Sequence, residues 1–181
     1  MHRRTLIASS FALATAAPAF AQAPDLENML YLDLKQGRVE IKMLPEVAPK
    51  HVAQIKKLVR EGFYDNTPFH RVMEGFMAQG GDPTGTGTGG SKLPNIPLEA
   101  SGRHFVRGVC GMARSSSPDS ANSQFFIMFA PAPSLDGQYT VWGQVMRGME
   151  NVDSIKRGAS GSGTVTDPDR IVRMRIATDV K

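Results

Sequence analysis

Within residues 71–79 lie a lone arginine, Arg71, the large apolar side chains Phe76 and Met77, and one amide, Gln79. A guanidinium is a permanent cation with a planar fork of donors, and an amide both donates and accepts. Phe76 and Met77 add a dry surface, and Gly80-Gly81-Asp82 then reads as a turn beside an open face. Such a set can bind and polarise a ligand, but it contains no nucleophile. A second run, Ser123-Gln124-Phe125-Phe126-Ile127-Met128, places another amide among aromatic and aliphatic residues. Taken alone, Arg71 reads equally as an ordinary salt-bridged or surface arginine, and Phe76 and Met77 as core.

Other chemistries lack parts. Gly85-Thr86-Gly87-Thr88-Gly89-Gly90 formally matches the G-x-G-x-x-G dinucleotide fingerprint. That fingerprint requires a helix to follow, whose N-terminus faces the pyrophosphate. Here Pro94 and Pro97 forbid one, so a mobile loop bordering a groove is expected instead. Of the four histidines, His51, His70 and His104 have no ligand partner at metal-binding spacing, and His2 lies at the extreme N-terminus. His70 reads as a packed, hydrogen-bonded residue. No Gly-x-Ser-x-Gly elbow is present for a serine hydrolase. The single cysteine, Cys110, sits in an apolar run and reads as a buried structural thiol. No metal and no cofactor is called for.

These groups need a scaffold, and the pattern is mostly β. Residues 29–34 and 38–43 alternate apolar and polar around Lys35-Gln36-Gly37, a hairpin signal. From 49 to 61, Val52, Ile55, Leu58 and Val59 fall at helical spacing, with Gly62 placed to end the helix. Short strands broken by loops fill 66–129, and another strand spans 138–145. Met149, Val152 and Ile155 suit a short second helix closed by Gly158. A Gly/Ser/Thr-rich loop over 159–166 leads to a last strand over 170–177. Many short strands with two isolated helices predict a closed barrel with helices over its ends.

The chain has 181 residues, 41% apolar and 21% charged, which suits one globular domain. Residues 1–21 are expected to be a signal peptide. Met1-His2-Arg3-Arg4 is basic, residues 6–20 are small or apolar without a charge, and Ala19-Phe20-Ala21 offers a cleavage site before Gln22. That run is too short and too alanine-rich for a stable membrane span, so no stable insertion is expected after cleavage. Arg3-Arg4 keeps the twin-arginine route open beside the general one. Removing those two arginines from 21 basic residues leaves 19 against 17 acidic ones, too even a balance for nucleic acid. Nothing signals oligomerisation, so a monomer is expected.

Five segments in order resemble the cyclophilin-type peptidyl-prolyl isomerases: Phe69-His70-Arg71, residues 75–82, Gly111-Met112-Ala113, residues 123–127 and Leu135-Asp136-Gly137. The likeness covers about 150 residues and points to the bacterial exported branch, hence the periplasm. It implies a mainly β fold: a closed eight-stranded antiparallel barrel capped by two α-helices, over residues 22–181. It implies rotation of X-Pro bonds in proline-containing polypeptides, with Arg71 as the catalytic residue. Phe76, Met77, Phe126 and Leu135 would line the proline slot, Gln79 would bond the substrate backbone, and Ala113 and Gln124 would shape the groove. Tyr139 stands where many relatives have histidine, Arg114 where eukaryotic members have a backbone-binding asparagine, and Ser134 where they have tryptophan. The last departure implies weak cyclosporin binding. The other class of function compatible with these residues is a non-catalytic proline-peptide-binding or chaperone-like module.

Overall fold

The first hairpin follows its alternation. β1 (Met29–Leu34) and β2 (Gly37–Met43) pair antiparallel, and Leu30, Leu32, Val39 and Ile41 all turn inward. The computed structural model describes residues 25–180, so the expected signal peptide lies outside the described residues. Helix α1 (Pro49–Arg60) buries Val52, Ile55, Leu58 and Val59, and ends at Glu61 with Gly62 at φ +68° behind it. Ala48 at its N-cap supplies no side-chain acceptor. Glu99, far along the chain, takes that place: its carboxylate accepts the Lys50 and His51 N–H groups at 3.1 and 3.0 Å and lies 2.6 Å from His51 Nδ1. A remote anion thus satisfies orphan donors at the positive end of the helix.

The remaining elements are β3 (Arg71–Met73), β4 (Met77–Gly80), β5 (Val109–Met112), β6 (Phe125–Met128), β7 (Val141–Arg147), α2 (Met149–Asp153) and β8 (Arg173–Ile176). With β1 and β2, these six strands form one eight-stranded antiparallel sheet in the order β3-β4-β6-β5-β7-β2-β1-β8. The expected closed barrel is corrected: the strand ladder is open, because β3 and β8 do not pair. The chain leading into β8 lies beside β3 instead. It joins the 66–72 segment through isolated bridges, Pro68 with Arg170 and Arg71 with Thr164, and through bonds such as Phe69 N–H to the Asp169 carbonyl at 2.9 Å. Asp167 at φ +53° and Pro168, which has no N–H, keep this stretch from becoming a regular strand.

Three expected boundaries move for local reasons. The strand expected from 138 begins at Val141, because the Gln138 and Tyr139 N–H groups fold back onto the Leu135 carbonyl. The expected last strand contracts to Arg173–Ile176. α2 stops at Asp153, well before Gly158. Gly158 donates its N–H to the Val72 carbonyl, and a Cβ there would overlap the Gly163 carbonyl, so it serves close packing rather than capping.

The core follows the period-2 pleat. Phe125 and Ile127 of β6 face the interior under α1, where Phe125 meets Tyr64, Phe69 and Trp142 edge-on with centroids 5.7, 6.2 and 6.0 Å apart. Trp142, within the strand expected over 138–145, is fully buried. Phe126 and Met128 face the other way and join Met77, Phe105 and Val141 in a second apolar cluster.

Candidate active site

That second cluster is the floor of a cleft. Strand register brings Arg71 opposite Gln79, Gln79 opposite Phe126, and Phe126 opposite Gly111, a row across β3, β4, β6 and β5. Directly opposed residues project to the same face. Gly111 makes room for the row: a Cβ there would lie 2.3 Å from the Phe126 ring and 2.6 Å from Phe105. With that space free, Phe126 stacks on Phe105 at 5.7 Å and meets Tyr139 edge-on at 5.9 Å.

A cavity of about 200 Å³ opens over this floor. Arg71, Phe76, Met77 and Gln79 border it from β3, β4 and the turn between them; Ala113, Phe126, Leu135 and Tyr139 close the other side. Phe76 is placed by its turn, with Gly75 at φ +67° and its carbonyl accepting the Phe129 N–H at 2.8 Å. Leu135 rides on a 3-10 turn, Pro133–Leu135. Asp136 ties that turn to the 104–105 segment by accepting the Phe105 N–H at 2.8 Å and facing His104 Nδ1 at 2.7 Å. Its pKa is lowered by the His104 contact first and the Phe105 N–H second. Gln124, expected in the groove, borders an adjoining cavity of about 530 Å³ rather than the smaller one. Gln79, Ala113 and Arg114 line both.

Arg71 is held entirely by neutral acceptors. Nε donates to the Ser162 carbonyl at 3.2 Å, Nη1 to Gln79 Oε1 at 3.2 Å and Nη2 to Met73 Sδ at 3.0 Å. The Gln79 amide passes the order on, donating to Gln124 Oε1 at 2.9 Å. Gln124 in turn donates to the Gly87 and Gly89 carbonyls at 3.0 and 2.8 Å. Neither Arg71 nor Arg114 takes part in an ion pair among the described residues.

The glycine-rich loop borders the larger cavity, as expected, but it is tied down by Asp82, the last residue of the expected 80–82 turn, where a mobile loop was expected. Asp82 is buried and accepts from Thr84 N–H at 2.8 Å, Thr84 Oγ1 at 2.7 Å, Gly87 N–H at 2.7 Å and Gly89 N–H at 3.1 Å. The loop's amides therefore face the protein's own carboxylate. An acid followed by alternating threonine and glycine was the available signal. His70 is buried near this loop, and burial lowers its pKa, so it is neutral at pH 7. Of its expected hydrogen bond only a weak backbone contact with Pro68 is present, which raises the pKa less than burial lowers it, and neither ring nitrogen has a well-aligned partner among the described residues. Met73 and the Ser162 carbonyl, both on Arg71, carried no signal in the sequence, and Arg114 was visible only as a departure.

The family model for "Cyclophilin type peptidyl-prolyl cis-trans isomerase/CLD" matches residues 29–176. A "probable peptidyl-prolyl cis-trans isomerase" of Brucella suis is 51% identical over 192 residues, spanning 99% of this chain and 98% of the relative. Among solved structures, the cyclophilin AquaCyp293 from Hirschia baltica superposes with a TM-score of 0.78 at 28% identity, over 87% of this chain and 76% of that one. A Cryptosporidium parvum cyclophilin-type isomerase, crystallised in the presence of the dipeptide Ala-Pro, gives a TM-score of 0.74 at 29% identity, over 82% of this chain and 98% of that one.

The Asp82 anchor has a defined pH dependence. Burial alone would raise its pKa, but the bonds from Thr84, Gly89 and Gly87 outweigh burial and hold it below the ordinary carboxylate range. A depressed pKa means the anchoring is complete above the unfolded value and is lost as pH falls through the lower, folded value. In NMR, the Gly87 and Gly89 amide shifts are expected to stay constant down through the ordinary carboxylate range and to move only below it. Asp82→Asn should move them already at pH 7. A titration midpoint at or above the usual carboxylate value would contradict this account.

Proposed function

The chain belongs to the cyclophilin-type peptidyl-prolyl cis-trans isomerases and catalyses rotation about X-Pro bonds, and we propose that Arg71 is the residue that lowers the barrier, acting on exported polypeptides. The observation that carries the assignment of Arg71 is a half-buried guanidinium with neutral partners at the edge of an apolar slot. Three of its N–H groups are occupied. Of the five a guanidinium has, two remain for a substrate.

An X-Pro amide resists rotation because its nitrogen lone pair is delocalised into the carbonyl, which sets a barrier of about 18–20 kcal/mol. In the rotated state the lone pair is localised on nitrogen and accepts a hydrogen bond. A guanidinium aimed there favours the transition state over either planar form. Uncatalysed exchange takes roughly tens to hundreds of seconds. Turnover near ~1,000 per second would need about five decades, or ~7 kcal/mol. One charge-assisted bond contributes about 1.5–3 kcal/mol, so Arg71 does not act alone. Phe76, Met77, Phe126 and Leu135 grip the proline ring, with Tyr139 packed over it. Gln79, oriented by Gln124, bonds the substrate backbone, and Ala113 keeps the groove open. Holding one side of the amide while the other turns, away from bulk water, supplies the remainder. The dipeptide present with the Cryptosporidium relative supports proline-containing peptides as the substrate class.

The test is X-Pro exchange in a short Ala-Pro-Phe peptide, followed by NMR with purified residues 22–181. Arg71→Ala is expected to lower turnover at least tenfold while peptide binding is largely retained. Absence of acceleration by folded wild-type protein would leave a proline-peptide-binding module instead.

Export is supported by the basic start, uncharged run and Ala-Phe-Ala of residues 1–21. N-terminal sequencing of the protein from a periplasmic fraction should read from Gln22. An intact Met1 start in the cytosol would refute the assignment.

Ser134, small and exposed beside Leu135 at the rim, supports weak cyclosporin binding. Inhibition should be absent at sub-micromolar cyclosporin, and potent inhibition there would overturn this reading.

A further inference from the structure

The two adjoining cavities are charged with one sign only. Among the residues that line them, the ionised side chains are Arg71 and Arg114, with no aspartate or glutamate. Arg114 stands on the wall they share. Its guanidinium lies 4.5 Å from the centroid of the Tyr139 ring. Nε and Nη2 donate to the Gln138 carbonyl at 3.1 and 3.0 Å, and Nη1 to the Ser115 and Ser116 carbonyls at 2.9 and 3.3 Å. These contacts fix the group in place, so meeting a ligand costs little further side-chain entropy. All three acceptors are neutral carbonyls, so its charge stays uncompensated. The fork also retains a free N–H on Nη2.

We infer that Arg114 makes this site select substrates carrying a carboxylate side chain within two residues of the proline, on the side of the larger cavity. The inference rests on the isomerase reading, in which the smaller cavity holds the proline ring. Arg114 borders that cavity and the next, and successive Cα atoms are only ~3.8 Å apart, so a neighbouring glutamate side chain meets the guanidinium. Two cations with no lining acid also raise the local concentration of anionic segments. A lysine at the same substrate position meets like charge.

The experiment is a set of peptides carrying Glu, Gln or Lys at each of the two positions before the proline and each of the two after it, with kcat/KM measured by NMR exchange at low and high salt. At one position the Glu peptide should exceed its Gln counterpart about three- to fivefold at low salt, the scale of a part-exposed ion pair. The Lys peptide should fall below both, and the spread should shrink as salt rises. Arg114→Gln should bring the Glu-to-Gln ratio to about one, whatever it does to the absolute rates, and Arg114→Lys should keep part of the preference, as charge recognition requires. Equal ratios at every position in the wild type, or a preference unchanged in Arg114→Gln, would overturn the inference. Acceleration of none of the peptides by folded protein would overturn the isomerase reading and this inference with it, a pattern distinct from equal ratios.

Discussion

The structure turns on a permanent charge that must be held still without being neutralised. Taking a guanidinium partly out of water is unfavourable unless its donors are satisfied. A carboxylate would satisfy them, but it would also cancel the field that a substrate needs to feel. Arg71 resolves this with neutral acceptors from separate parts of the chain: the Ser162 carbonyl, the Gln79 amide and the Met73 sulfur. The Ser162 contact depends on docking of the 159–166 segment against β3, where Val72 N–H reaches the Gly163 carbonyl at 2.7 Å. Gly163 allows that approach, since it sits at φ +73° and a Cβ would lie 2.4 Å from Met73 Cγ. The Gly/Ser/Thr-rich loop is thus part of the arginine's support.

A sheet with two apolar faces supplies the rest. Phe125 and Phe126 are adjacent in sequence and belong to different clusters, one beneath α1 and one beneath the cleft. The proposed proline slot therefore rests on a floor whose reverse side is the main aromatic core. A close-packed platform of that kind resists the displacement that would loosen a binding site. The open edge of the sheet does not weaken it, because the irregular chain ahead of β8 satisfies backbone groups beside β3.

The glycine-rich loop illustrates how one pattern serves different chemistry in different surroundings. Its N–H groups at Gly87 and Gly89 converge on an anion, as they would in a phosphate site, but the anion is Asp82 from the same chain. The loop carbonyls then face Gln124, which orients Gln79, which contacts Arg71. Charge is managed along this line: the buried acid is spent on the loop, and the guanidinium groups facing the cleft meet only dipoles. The ionised side chains that line the cleft are consequently both cationic.

Much of this was legible in sequence because it depends on local periodicity. The 29–43 hairpin, the buried stripe of α1 and the grouping of Arg71, Phe76, Met77 and Gln79 are all consequences of spacing within one or two elements. The roles of Arg71, Phe76, Met77 and Gln79, and those of Ala113, Gln124, Phe126, Leu135 and Tyr139, came from resemblance to a family, since no local rule links such distant residues or assigns their chemistry. What periodicity could not reveal was decided by register and by contacts between remote segments. Whether the sheet closes depends on Asp167 and Pro168 blocking a ladder; which cavity Gln124 borders depends on its bonds to the 87–89 loop. The capping of α1 by Glu99, the seat of Ser162 on Arg71 and the position of Arg114 between two cavities have the same origin. Side-chain periodicity is a property of a few consecutive residues and survives in the sequence, whereas hydrogen-bond partners far apart along the chain become neighbours only once the sheet has curled.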